Sequence, residues 1–97
     1  MAQYMLLHVG FNKPTHEIMT AWKAWFESVA DKAVGHGGFM HGRRITDSGV
    51  ESIEMGLDAM TGYSIIEAEN MDEAISIAST NPFITAINVY EIREHGG

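Results

Sequence analysis

Gly62-Tyr63-Ser64-Ile65-Ile66-Glu67-Ala68, running on into Glu69-Asn70-Met71-Asp72-Glu73-Ala74-Ile75, is the stretch on which the fold turns. Its first half is rich in β-branched and aromatic residues and predicts a strand. In its second half Asn70, with Glu73 three positions on, forms an N-cap and capping-box pattern. Met71, Ala74, Ile75 and Ala78 then recur at the i, i+3, i+4, i+7 spacing of an amphipathic helix. Asn81-Pro82 ends that helix, because the residue before a proline is pushed out of the helical region. Residues 86–92 (Ala-Ile-Asn-Val-Tyr-Glu-Ile) supply a closing strand, so this half of the chain reads strand, helix, strand.

The N-terminal half echoes it. Tyr4, Met5, Leu6, Leu7 and Val9 make a short apolar strand closed by Gly10, with His8 as its one strongly polar member. A long helix follows Pro14-Thr15: Ile18, Trp22, Trp25, Phe26, Val29 and Ala33 share one face, and Thr20, Lys23, Glu27 and Asp31 line the other. Thr15 is placed to cap it, Glu17 to meet its positive end, and Gly35 to stop it. Residues 39–45 (Phe-Met-His-Gly-Arg-Arg-Ile) read as a polar edge strand, and Asp47-Ser48-Gly49 as a turn. The connection over 50–61 reads as an excursion hairpin or a binding loop.

Strand, helix, strand, strand, helix, strand predicts an α+β ferredoxin-like βαββαβ domain, a four-stranded antiparallel sheet with both helices on one face. The strands are apolar on both phases: Met5, Leu7 and Val9 oppose Tyr4 and Leu6, and Tyr63 and Ile65 oppose Ile66 and Ala68. Two helices cover one face only. The other would expose more apolar area than a soluble monomer usually shows, which predicts a homodimer burying roughly 800 Å² or more per subunit by sheet-on-sheet packing.

The chain has 97 residues, one domain's worth, spanning 1–97 with no internal linker. Six basic against thirteen acidic residues give a net charge of −7, which opposes the phosphate neutralisation behind non-specific nucleic-acid binding. A nucleic acid or a membrane surface is therefore not an expected partner. The absence of cysteine removes thiolate nucleophiles and Cys-ligated metals. No stretch reads as a signal peptide or a membrane span, so the expected location is the cytoplasm.

Chemistry is sparse. His8, in the middle of a central apolar strand, is either a contact to a ligand in a cleft or a structural histidine with satisfied hydrogen bonds. His41 and Arg43, two apart on one phase of the expected second strand, would present a cation to an acidic ligand; edge-strand solubility explains them equally. Trp22 and Trp25 read as helix-to-sheet core, with one of them free to line a cleft. His16, His36, His41 and His95 show no metal-ligand spacing, so neither metal nor other cofactor is expected. The serines at 28, 48, 52, 64, 76 and 79 read as lacking an adjacent base. Glu51, Glu54, Asp58, Glu67 and Glu69 read as a solvated acidic region rather than an acid–base pair. Gly35-His36-Gly37-Gly38 reads as a helix stop and turn, since no strand-to-helix context makes it a phosphate cradle. An RNA-recognition reading fails at Ile65 and Ala68, where stacking aromatics belong.

Several segments together resemble the YCII-related (DGPF-domain) family of the dimeric α/β-barrel superfamily. They are the opening Tyr-Met-Leu-Leu-His-Val-Gly, the helical Thr-Ala-Trp-Lys-Ala-Trp-Phe, the Gly-Gly ahead of a Gly-Arg strand, and Gly-Tyr-Ser-Ile-Ile-Glu-Ala followed by Met-Asp-Glu-Ala. The resemblance implies a ferredoxin-like dimer with a small-molecule pocket between sheet and long helix. Where the family carries Asp-Gly-Pro-Phe this chain has Glu54-Met55-Gly56-Leu57-Asp58, and the family's helical histidine falls near Trp25. The sequence thus points to binding or processing of a small organic molecule, with His8, Trp22, Trp25, His41 and Arg43 as candidate ligand contacts and His8 and His41 as candidate acid–base groups. A cofactor-free isomerase, lyase or oxygenase would use those histidines. A non-catalytic dimeric sensing or interaction module would need neither.

Overall fold

Six strands and two helices follow one another in the computed structural model, which describes residues 1–93; His95 lies outside them. They are β1 (Ala2–Val9), α1 (His16–Ser28), β2 (Ala33–Gly38), β3 (Arg43–Thr46), β4 (Gly49–Ser52), β5 (Met60–Ala68), α2 (Met71–Ser79) and β6 (Ala86–Ile92). Four of the strands form one sheet in the order β2-β5-β1-β6, antiparallel at every pairing. This is the expected ferredoxin-like arrangement, with the first strand and the Gly62–Ala68 strand at the centre. The remaining two, β3 and β4, pair only with each other and form a hairpin inserted between β2 and β5.

Register sorts the side chains into two faces. Tyr4 opposes Ile66, Leu6 opposes Ser64 and Val89, and His8 opposes Gly62 and Ile87. These residues face the helices, where Tyr4, Leu6, Ile66 and Ala68 pack with Trp25 from α1, with Val29 at its C-cap, and with Ala74 and Ala78 from α2. Met5, Leu7 and Val9 share the opposite face with Tyr63, Ile65 and Tyr90, and no element among the described residues covers them.

The two helices stand at different heights. Small side chains, Ala74 and Ala78, let α2 approach until its Cα atoms lie within 8 Å of those in β1, β5 and β6. Under α1 the spacers are Trp22, Trp25 and Phe26, and no Cα of that helix comes within 8 Å of a strand Cα. Space is therefore left at the α1 side of the sheet.

Three expectations need correction. The second sheet strand is residues 33–38, not 39–45, and so contains the glycines read as a stop and turn. Glycine is poor in strands by propensity, but here close approach demands it. A Cβ on Gly37 would lie 2.7 Å from the Tyr63 ring, and one on Gly62 would lie 2.8 Å from the Gly37 carbonyl oxygen. Helix α1 ends at Ser28 rather than running to Ala33, because Ala33 is drawn into pairing with Ile66. Finally, the edge-strand segment itself splits: His41 takes a positive φ of 57° in a bend, and Arg43–Thr46 enters the hairpin whose turn is Asp47-Ser48-Gly49.

That hairpin is exposed at every residue and touches no other strand or helix. It stretches the molecule to 43 × 41 × 18 Å and raises the radius of gyration to 14.7 Å. A compact domain of this length would have about 12–13 Å.

Candidate functional site

The space beneath α1 is a cleft of about 450 Å³ lined by His8, Trp22, Phe26, His36, Thr61, Tyr63 and the backbone of Gly37, Gly38 and Gly62. Each wall has a local cause. β1 carries His8 at the end of the buried row Tyr4, Leu6, His8. Opposite it Gly62 has no side chain to fill the gap. From α1 come Trp22 and Phe26, one helical turn apart, with ring centroids separated by 5.7 Å. β2 adds His36, whose ring stacks against Phe26 at 4.5 Å.

His8 is the one buried titratable group in the cleft, 5% exposed. Its Nε2 lies 3.0 Å from Ser64 Oγ, and its Nδ1 has no hydrogen-bond partner. Trp22 meets the ring edge-on at 5.0 Å and Trp25 at 6.4 Å, so its surroundings are aromatic rather than ionic. Burial pushes its pKa from the ordinary 6.5 down to about 4, and the ring is neutral at physiological pH. A neutral ring has one N–H and one lone pair. When Nε2–H donates to Ser64, Nδ1 keeps the lone pair; when Ser64 O–H donates to Nε2, Nδ1 carries the proton. Either way the second nitrogen is unsatisfied, at a cost of about 1–3 kcal/mol.

This contact corrects the reading of the serines, because Ser64 does have a base beside it. The pairing of residues 56 apart in the chain leaves no trace in local sequence. It is not a nucleophile triad, since no carboxylate orients Nδ1. The cleft walls include no Asp, Glu, Lys or Arg, so a bound molecule would meet imidazole, hydroxyl, peptide and ring faces only. Among the described residues no group of three His, Asp or Glu side chains is placed to hold a metal ion.

The other candidates from the sequence fall elsewhere. Trp25 is 4% exposed in the core, its Nε1–H donating to Thr80 Oγ1 at 2.9 Å, and does not line the cleft. His41 sits exposed in the bend after β2, and Arg43 is exposed on β3 with Nη1 donating to the Gly42 carbonyl at 2.9 Å. Neither reaches the cleft, because the strand expected to carry both is not in the sheet. Conversely Phe26 and His36 form walls that sequence reasoning did not name, while Tyr63 borders the cleft only from a strand position whose side chain belongs to the outer sheet face. The signal for His36 was its alternation with Gly35 and Gly37, a strand phase hidden by the glycines.

A four-stranded antiparallel sheet with two helices on one face is an α+β ferredoxin-like arrangement. One solved structure similar to this chain is 5-chloro-2-hydroxyhydroquinone dehydrochlorinase (TftG) from Burkholderia phenoliruptrix AC1100, in complex with 2,5-dihydroxybenzoquinone. The TM-score is 0.60 at 20% sequence identity, over 97% of this chain and 95% of that one. At that identity the likeness establishes the fold. No protein-family model matches the chain, and neither does any curated protein. No helix among the described residues is long and apolar enough to cross a membrane.

Proposed function

We propose that this cytoplasmic chain binds, and by proton transfer processes, a planar hydroxylated organic molecule in the cleft under α1. The observation that carries this reading is His8, a buried neutral imidazole with one unpartnered nitrogen bordering an aromatic-walled cavity. Orphaned buried nitrogens are rare, and a functional role is one of the few explanations for them. Flat aromatic walls suit a flat ligand. An acidic phenol or enol entering the cleft brings its own proton, and the resulting anion would hold the imidazolium that burial alone disfavours. Trp22 and Phe26 would flank the ring, and Ser64 would fix the His8 tautomer. Trp25, His41 and Arg43, named from the sequence as ligand contacts, have no part in this site unless a partner subunit brings the last two to it. The similar dehydrochlorinase is named for loss of hydrogen chloride from a hydroxylated ring, a step that begins with proton transfer, and this supports an isomerase- or lyase-like activity here.

The test is a titration with 2,5-dihydroxybenzoquinone read by tryptophan fluorescence. Saturable quenching of Trp22 is expected, weakened at least tenfold in His8→Gln and unchanged in His41→Gln. Unsaturable quenching with this compound and with simple hydroxyquinols would overturn the reading. The alternative is a non-catalytic dimeric interaction module, and the uncovered apolar sheet face with Met5, Leu7, Tyr63 and Ile65 favours it. The same face supports a homodimer under either reading.

A further inference from the structure

A second cavity, of about 710 Å³, opens at the root of the hairpin, where Phe39, Ile53, Met55 and Met60 form apolar walls and Arg44 and Asp58 bring the charges. It is separate from the His8 cleft. Only Gly38 borders both. The volume lies within the ~300–1,000 Å³ range of small-molecule sites.

Two features point to a ligand. The four apolar side chains remain 41–49% exposed, so nothing among the described residues covers them. The Arg44 guanidinium makes no hydrogen bond or ion pair among the described residues, although Glu51 lies directly opposite on β4 and Asp58 lines the same cavity. A free guanidinium at an apolar wall is built to accept a carboxylate attached to an apolar body. The paired methionines adapt to an irregular or flexible chain better than branched or ring side chains do. The carboxylate of Asp58 excludes a ligand with a second negative charge.

We propose that this cavity is a binding site for an aliphatic monocarboxylate, with the carboxylate on Arg44 and the chain along Ile53, Met55 and Met60. It is independent of the His8 chemistry. The base of the hairpin is closed here by Ile53 N–H donating to the Gly42 carbonyl at 2.9 Å, and both residues border the cavity. A ligand seated there would hold the hairpin in place.

Decanoate is the probe, measured by displacement of the fluorescent anion 8-anilino-1-naphthalenesulfonate, with hydrogen exchange at the Ile53 amide as the localising readout. Decanoate should displace the dye and slow Ile53 exchange. Arg44→Gln should weaken decanoate at least tenfold, Asp58→Asn should tighten it, and His8→Gln should leave it within twofold. All three charge variants are at exposed positions or outside this cavity, and native circular dichroism will confirm that they fold. Failure of displacement, equal affinity in Arg44→Gln, or equal loss in His8→Gln would overturn the proposal. So would binding only to protein dissociated to monomers, since a second copy would then be the cavity's occupant.

Discussion

His8 makes the clearest case for what one residue does to the whole. Because its pKa is about 4 in the fold and about 6.5 in the unfolded chain, the unfolded state binds more protons between those values. Its contribution is therefore fully present above pH 6.5 and is lost as pH falls toward 4. The shift corresponds to about 3 kcal/mol, to order of magnitude. Urea unfolding of wild type and His8→Gln at pH 4, 5, 6 and 7 should show a wild-type stability that falls with acid relative to the variant. A constant difference would mean that His8 does not titrate below its ordinary range. The polarity of His8 inside an apolar run made it legible from sequence, whereas its partner did not show, because Ser64 is brought to it only by the register of β1 against β5. His36 was hidden for another reason: local propensity reads its glycine neighbours as a turn, while the ring of Tyr63 decides that they are a strand.

At the scale of elements, starts were more legible than stops. Thr15 Oγ1 accepts from the Ile18 amide at 3.1 Å, and Asn70 Oδ1 accepts from the Glu73 amide at 2.9 Å, as short-range spacing implied. Asn70→Ala should therefore destabilise the protein by about 1 kcal/mol. Thermal unfolding with a midpoint lowered by several degrees is the expected result, and an unchanged midpoint would show that α2 is held by packing alone. The end of α1 was not legible, since Ala33 continues the helical apolar spacing and only its pairing with Ile66 removes it from the helix. Nor was the second sheet strand, because the polar run at 39–45 has edge-strand composition yet finds no neighbouring strand in the sheet. The turn at Asp47-Ser48-Gly49 was read correctly, and it closes β3 onto β4.

For the molecule as a whole, the decisive feature is an 18 Å thickness: two layers, helices and sheet, with the sheet's outer face uncovered. The alternation of apolar residues on both phases of β1 and β5 anticipated this face. Sedimentation should give a mass of about 21 kDa, twice the 10.7 kDa of one chain. Leu7→Lys, which places a charge in the middle of that face opposite Tyr63, should return the mass to one chain while leaving the circular dichroism native. A wild-type mass of one chain at micromolar protein would remove the homodimer. The uneven heights of the helices carry one more consequence. α2 rests on alanines and its distance from the sheet is fixed by backbone, whereas α1 rests on rings, so its distance is a property of three side chains. The cleft behaves as a vice whose fixed jaw is the sheet and whose adjustable jaw is α1. Exchanging Trp22 or Phe26 for a shorter ring resets the aperture without disturbing α2, which gives the fold a simple route from one ligand size to another.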